Sequence, residues 1–282
     1  MTLSPTVARL AGFAAALAAL FGVGAVAGGV LDPSAPGGEA AAGSMGHGGA
    51  EMAMAVRGLA VAADGARLVL DTPQLLRGRT QQLRFRIVDD SGRAIRNFDI
   101  EHTKRMHVIV VRRDLTGFQH VHPTMATDGT WSVGVRIADA GSYRVFADFS
   151  RDDEPQTLAT DLRVDGAADL QPLPAPALVA TSQDGYDVRL AEGAARAGEE
   201  SHLRFSITKD GRPVAVEPYL GAGGHLVALR EGDLAFLHVH PTGDEHSTAF
   251  DATFPTTGAY RLFLQFQVDG AVQTVAFTQE VK

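Results

Sequence analysis

The chain contains one seventeen-residue segment twice, and this duplication restricts its possible folds more than any other feature. His107–Pro123 and His225–Pro241 share seven identical positions, and three of these are histidine. The similarity extends to flanking segments, Leu83–Phe85 with Leu203–Phe205 and Gly141–Phe149 with Gly258–Phe266. The offset stays between 117 and 120 residues, which is the size of one independently folding domain. The sequence therefore predicts two homologous domains in tandem.

Both copies have the pattern of β-strands. Runs of five to eight apolar or alternating residues, such as Gln82–Asp89 and Tyr143–Ser150, are separated by Asp-Gly, Ser-Gly or Pro-rich turns. We predict an all-β fold of two tandem immunoglobulin-like antiparallel β-sandwich domains after an N-terminal transmembrane helix. The domains are expected at residues 56–165 and 179–282, with residues 166–178 as the linker.

The N-terminus predicts an extracytoplasmic location. Residues 10–30 form an uncharged stretch of twenty-one residues, long enough to span a bilayer. Arg9 lies in the short segment before this stretch, and positive charge favours the cytoplasmic side. Residues 1–9 are therefore expected in the cytoplasm and both domains outside, as in a single-pass protein of the cell membrane. The alternative is a signal peptide with a cleavage site at Ala25–Ala27, which would make the protein secreted.

Residues 31–55 are rich in Gly and Ala and are expected to form a flexible tether. Thioether and imidazole groups bind Cu(I), so a mobile tail carrying them suits capture of a soft metal. The tether has four such residues, which remain second-tier candidates because an ordinary linker explains them equally well: Met45, His47, Met52 and Met54.

Composition excludes several classes of function. The chain has no cysteine, so disulfides, thiolate metal sites and cysteine nucleophiles are absent. Its formal net charge is −8, and it lacks the clusters of Lys and Arg that nucleic acid requires, so no nucleic-acid partner is expected.

The spacing of the histidines predicts metal sites. A two-residue hairpin turn in Glu231–Leu234 places His225 opposite His240, with His238 diagonal to His225 on the same face. The first copy has the same spacing, and Pro123 and Pro241 should end the strands, which puts each cluster at the open end of its sandwich. We therefore predict one three-histidine site per domain, formed by His107, His120 and His122 and by His225, His238 and His240.

Three neutral imidazoles on a β-ribbon suit Cu(II) or Zn(II), and the spacing alone does not choose between them. Met106, His102 and His246 are second-tier candidates, and Met106 should point to the opposite face of its strand. Histidines also pack through hydrogen bonds without any metal, so a structural role stays open. The larger motif residues are expected in the core: Phe118, Phe236, Tyr143, Tyr260 and Trp131. Tyr143 and Tyr260 have the position of sandwich-corner tyrosines.

With these Met-His and His-x-His-Pro strands, residues 57–280 resemble membrane-anchored bacterial envelope proteins akin to YtkA-like and CopC-like copper-associated β-sandwiches. The resemblance implies extracytoplasmic handling of copper. Two features depart from it: Gly224 replaces Met106 in the second copy, and neither copy begins with the N-terminal histidine of CopC-like sites.

The leading hypothesis is a membrane-tethered, extracytoplasmic copper-binding protein that buffers, delivers or senses the metal, with zinc as the alternative ion. Its expected partner is an envelope metal transporter or another envelope protein. The alternative is a non-enzymatic immunoglobulin-like scaffold of the cell envelope with structural histidines. An enzyme is not expected, because no acid–base residue recurs beside the motif and Asp148 becomes Gln265 in the second copy.

Overall fold

The computed structural model describes residues 56–192, 195–237 and 239–282, apart from the side chains of Glu192 and His240. This part of the chain contains β-strands and no helix, which confirms the all-β prediction. Among the residues described, no helix has the length and hydropathy required to cross a bilayer. The predicted anchor, residues 10–30, and the tether, residues 31–55, lie outside the described residues.

The first repeat is a sandwich of two five-stranded sheets. One sheet has the order β1-β2-β4-β8-β7, and the other has the order β3-β10-β9-β5-β6. The pairings are antiparallel except for the parallel pair β3–β10. The strands are β1 Ala62–Ala63, β2 Ala66–Leu70, β3 Gln74–Leu75, β4 Thr80–Val88, β5 His107–Arg112, β6 Gln119–Val121, β7 Thr124–Met125, β8 Trp131–Arg136, β9 Gly141–Arg151 and β10 Glu154–Val164.

The second repeat has the same two-sheet plan. One sheet has the order β11-β12-β13-β18-β17, with β14 on β13, and the other has the order β16-β15-β19-β20. The strands are β11 Val179–Thr181, β12 Asp187–Glu192, β13 Glu200–Lys209, β14 Arg212–Pro213, β15 His225–Arg230, β16 Phe236–Leu237, β17 His240–Thr242, β18 Ala249–Thr253, β19 Gly258–Val268 and β20 Ala271–Val281.

Each sandwich has its own core, and alternation along the strands decides which side chains enter it. In β13, Ser201, Leu203, Phe205 and Ile207 are buried while the residues between them are exposed. The two tyrosine corners form as predicted. The Tyr143 hydroxyl donates to the Asp139 carbonyl at 2.9 Å, and Tyr260 does the same to Thr256 at 3.1 Å.

Strand β5 is buried along all six residues, because both of its faces are covered. Met106, Val108 and Val110 point into the core of the first sandwich. Ile109 and Val111 point outward and pack against side chains of the second repeat, in a cluster with Val227, Leu229, Leu234, Phe236 and Phe263. The two repeats therefore share a third hydrophobic core, made where the β5–β9 sheet faces the β15–β19 sheet.

This shared core has an approximate two-fold symmetry. Phe118 stacks on Phe263 with ring centroids 4.1 Å apart, and Phe146 lies against Phe236 at 5.6 Å. Phe236 is the repeat equivalent of Phe118, and Phe263 is the equivalent of Phe146. Each repeat thus offers the same two phenylalanines to the other, which is the geometry of an isologous dimer interface built within one chain.

The predicted hairpin register is correct, but the turn is longer than predicted. Ala228 pairs with Leu237, as a hairpin centred in Glu231–Leu234 requires. The loop has four residues rather than a two-residue turn, because Arg230 and Ala235 close it and the Leu234 amide donates to the Arg230 carbonyl. Leu234 adopts a φ of 62° and is fully buried in the shared core, which favours this wider loop.

After Leu237 the second repeat departs from the predicted pairing. Strand β17 joins the other sheet of its sandwich, where His240 pairs with Asp251. The expectation that His240 lies directly opposite His225 is therefore wrong. A strand that changes sheets exchanges its pairing partners, and the motif alone carries no signal for that crossing.

Candidate functional site at the interface of the repeats

His107 and His225 begin the equivalent strands β5 and β15, and the shared core brings them face to face. Their rings stack with centroids 5.5 Å apart and an interplanar angle of 3°. His107 lies on the same face of its strand as Ile109, so it continues the row of side chains that meets the second repeat. The histidines therefore lie on the outer face of the sheet and not, as expected, at the open end of the sandwich.

His120 enters the same cluster from β6, where it lies opposite Ile109. Its Nε2 atom is 3.0 Å from Nδ1 of His107, and its Nδ1 atom is 2.7 Å from Oε1 of Gln265 in the second repeat. The Gln265 amide nitrogen donates to Oγ1 of Thr274 at 3.1 Å. His120 is only 8% exposed, so these contacts fix the ring without competition from water.

Two hydrogen-bond acceptors face the ring nitrogens of His107. With the Gln265 amide oriented in this way, Nδ1 of His120 donates to it and Nε2 of His120 is an acceptor. His107 Nδ1 faces that acceptor, and His107 Nε2 faces the Glu101 carbonyl at 3.2 Å. A neutral imidazole has one N–H group and can satisfy one of these two acceptors. A second proton or a metal ion at His107 would satisfy both.

His122 follows β6 and completes the first repeat's set. Its ring lies 5.0 Å from the His107 ring and 4.7 Å from the His120 ring, measured between centroids. Its Nε2 atom is buried and has no hydrogen-bond partner. Since buried polar atoms are usually hydrogen-bonded, a ring nitrogen without a partner beside two other imidazoles favours a site for a ligand.

His102 approaches the cluster from a turn with unusual backbone geometry. Glu101 and Lys104 exchange backbone hydrogen bonds, and the two residues between them have φ values of 45° (His102) and 68° (Thr103). Such turns favour Asn and Gly, and a side chain here costs about 1–2 kcal/mol per residue. The His102 ring nevertheless lies 5.7 Å from the His225 ring and 6.2 Å from the His107 ring. The turn thus holds a fifth imidazole at the cluster.

Burial favours the neutral form of three imidazoles, His120, His122 and His225. Burial lowers the pKa of His120 to about 3 and that of His122 to about 4, and the nearby His107 ring adds to both effects. Burial and the surrounding histidines lower the pKa of His225 well below its usual value. Neutral rings expose a lone pair to a metal ion at pH 7, so protons compete weakly for the site.

These shifts also make folding sensitive to acid. As the pH falls below 6.5, these histidines become protonated in the unfolded chain but stay neutral in the folded chain. The free energy of unfolding therefore decreases as the pH falls from 6.5 towards the pKa values of the folded state. Asp148, which pairs with His107 and is half-buried, acts in the reverse sense, because desolvation raises its pKa. The effect of three imidazoles exceeds that of one carboxyl group, so we expect acidification to lower the stability of the folded protein.

The geometry fits a transition-metal ion. His107, His120 and His225 each offer a nitrogen, and these atoms lie within 4.8 Å of one another. Tetrahedral coordination with metal–nitrogen bonds of about 2.0–2.1 Å needs nitrogens about 3.3 Å apart. One pair, Nδ1 of His107 and Nε2 of His120, is already 3.0 Å apart, and the His225 nitrogen lies within 4.8 Å of the other two ligand atoms. His122 and His102 lie close enough to supply further ligands.

The remaining candidates divide into two groups. Met106 is buried in its own sandwich core, as expected from strand parity. His246 donates from Nδ1 to the Val216 carbonyl at 3.0 Å. His238, the side chain of His240, and the tether residues Met45, His47, Met52 and Met54 lie outside what the structure describes. A separate second site at His225, His238 and His240 therefore stays a prediction.

Asp148 and Gln265 are an aligned pair in the two repeats, but the sequence alone did not place them at the cluster, which they contact from β9 and β19. Asp148 pairs with His107, and Gln265 occupies the same place opposite His225. The Thr157 hydroxyl donates to Asp148 at 2.7 Å. The sequence signal that could have predicted this contact was the unbroken apolar run after His107. Such a run indicates a strand that is covered on both faces, so the outer face of β5 must pack against another part of the protein.

A second group of metal-ligating residue types lies on the outer face of the second repeat. Glu200, His202 and Asp251 place one ligand atom each within 4.8 Å of the others, and His202 Nδ1 lies 2.5 Å from Asp251 Oδ1. The His202 side chain is 70% exposed. Exposed ion pairs of this kind are common without a metal, so His202 offers a control residue for tests of the buried cluster.

Residues 60–166 and 180–282 each match a family described as a domain of unknown function, DUF8832. The chain belongs to the DUF8832 family. No curated protein matches the chain. The family match covers both repeats and agrees with the tandem organisation, and it gives no support to a relationship with YtkA-like or CopC-like copper domains.

Solved structures with similar architecture include the Escherichia coli adhesin FdeC, at 14% identity over 79% of this chain and 66% of that one, with a TM-score of 0.28. A Salmonella alpha-2-macroglobulin shares 12% identity over 79% of this chain and 15% of that one, with a TM-score of 0.29. Invasin, a bacterial integrin-binding protein, shares 13% identity over 79% and 41%, with a TM-score of 0.26. The DUF8832 chain thus spans less than two thirds of each.

Proposed function

We propose that this DUF8832 protein binds one transition-metal ion between its two repeats. The observation that carries the proposal is the convergence of His107 and His120 from the first repeat with His225 from the second, within 4.8 Å and in a mostly buried setting. The His122 nitrogen without a partner supports it independently. A packing role alone would be expected to leave no buried imidazole nitrogen unsatisfied.

Copper is the first candidate ion and zinc the second. An all-imidazole site suits Cu(II) and Zn(II), and the absence of cysteine removes the thiolates that would favour softer ions. Together with the predicted anchor at residues 10–30, this supports a membrane-tethered, extracytoplasmic protein that buffers, delivers or senses the metal. An envelope metal transporter is the partner such a role would require.

The second candidate function is a tethered scaffold or partner-binding module with structural histidines. The hydrogen-bonded series from His107 through His120 to Gln265 supports this alternative, because it links the two repeats without any ion. The two candidates differ in what loss of a histidine does: a metal site loses its ion, whereas a purely structural series only loses stability.

The deciding experiment is a titration of the apo full chain with Cu(II), Cu(I) and Zn(II) in turn, by calorimetry and native mass spectrometry. It uses a tether-silenced chain, in which Met45, His47, Met52 and Met54 are replaced by alanine, so that the tether adds no ions. We expect one tight equivalent, its loss in His120→Ala, and its retention in the exposed control His202→Ala. A folded protein without saturable binding would reject metal binding and leave the scaffold function.

A further inference from the structure

The turn that carries His102 has an equivalent in the second repeat, and only the turn of the first repeat has a histidine. Tyr219 and Ala222 exchange the same pair of backbone hydrogen bonds, and the residues between them, Leu220 and Gly221, also have positive φ values, of 56° and 83°. The second turn therefore has glycine where the backbone favours it. The first has the β-branched Thr103 at that position and a histidine before it.

The two turns meet across the interface of the repeats. A Cβ atom placed on Gly221 would lie 3.8 Å from Cγ2 of Thr103, which is ordinary van der Waals contact. The first turn also touches the cluster directly, since the Glu101 carbonyl faces His107 Nε2 at 3.2 Å. The opposed turns therefore lie beside the histidines, one from each repeat.

His102 differs from His107 and His120 in its exposure and in its position at the edge of the cluster. It is half-buried, whereas His107 is 3% exposed and His120 is 8% exposed. Its ring lies near those of His107 and His225, yet its nitrogen atoms are not among the three that converge within 4.8 Å. A half-buried ligand at the edge of the cluster can meet an arriving ion before the more buried histidines do.

We infer that His102 is an exchange ligand, which takes an arriving metal ion, passes it to the more buried histidines, and returns it on release. This inference rests on the proposed metal site and assigns its route of loading. A stepwise exchange of one nitrogen ligand for another avoids fully releasing the ion into water, so the same residue speeds both directions. No net chemistry occurs beyond making and breaking metal–nitrogen bonds.

The test measures zinc loading and zinc transfer to a chromogenic chelator by stopped flow, on the tether-silenced full chain. In His102→Ala we expect loading and release to slow together by about tenfold or more, while the equilibrium affinity stays within about threefold, because a shared intermediate is lost rather than a resident ligand. Leu220→Ala is the matched control: it truncates the opposed turn without removing a ligand, and its rates should stay close to wild type.

His102→Asp distinguishes ligand chemistry from the shape of the turn. Aspartate tolerates positive φ and offers an oxygen ligand to zinc, so the exchange rates should recover relative to His102→Ala. Unchanged rates in His102→Ala, an equal effect of Leu220→Ala, or faster release in His102→Ala would overturn the exchange role while leaving the metal site intact. A wild-type chain that binds no zinc or copper would overturn both.

Discussion

Gly58 tests whether the shared core holds the repeats together. This residue lies in the segment before β1, has a φ of 71°, and packs where the repeats meet. A Cβ atom added to it would lie 2.7 Å from Cβ of Phe236 and 2.8 Å from Cε1 of Phe146, distances that real Cβ atoms do not adopt. Both rings belong to the shared core, so either the segment or the core must shift in Gly58→Ala.

The expected cost has two parts. Alanine at a left-handed φ costs about 1–2 kcal/mol, and overpacking a filled core adds about 1–3 kcal/mol. Gly58→Ala should therefore lower the free energy of unfolding by about 2–5 kcal/mol. Gly78→Ala is the matched control, because Gly78 has a φ of 74° but nothing within 4 Å of an added Cβ. It should show the backbone cost alone.

The assay is urea unfolding of both variants, followed by circular dichroism and tryptophan fluorescence. The difference between the variants isolates the contact with the shared core. Equal losses of stability in Gly58→Ala and Gly78→Ala would refute the reasoning, since they would mean that the core tolerates an added methyl group. A Gly58→Ala variant that still folds should also bind metal more weakly, because Phe146 and Phe236 belong to the core that aligns the histidines.

Three further outcomes are expected. The free energy of unfolding of the apo protein should fall as the pH drops from 6.5 towards 4, by up to about 1.4 kcal/mol per pH unit for each neutral histidine. Urea unfolding at a series of pH values should show a weaker pH dependence in His120→Gln. Tyr143→Phe should lose about 1–2 kcal/mol by the same measurement, because the Asp139 carbonyl loses its donor, and an unchanged midpoint would contradict the corner's role. Gln265→Ala should weaken metal affinity about 10–100-fold at unchanged stoichiometry, since Gln265 orients His120; an unaltered affinity would argue against that role.

The sequence predicted the parts of the fold that depend on local pattern. Strand periodicity, the hairpin register around Glu231–Leu234 and the two tyrosine corners all follow from neighbouring residues and from the repeat. Parity also placed Met106 in the core, away from the histidines. Within the first repeat, the motif spacing predicted that His107, His120 and His122 would lie together, and they do.

The meeting of the two repeats could not be predicted in the same way. His225 joins the cluster of the first repeat because the outer faces of β5 and β15 pack together, and that depends on contacts between residues more than one hundred positions apart. The crossing of β17 to the other sheet, which removes His240 from the pairing with His225, likewise depends on long-range packing. The motif repeats in sequence, but its two copies have different surroundings.

The most direct test of the shared site is the metal stoichiometry of the tether-silenced chain and of His225→Ala, measured by native mass spectrometry in the presence of limiting Cu(II) or Zn(II). If the repeats share one site, each wild-type chain should bind one ion. The His225→Ala variant should bind none, even though the first repeat keeps all of its own histidines. Two ions per wild-type chain, with one retained at unchanged affinity in His225→Ala, would contradict the shared site and favour separate sites in the two repeats.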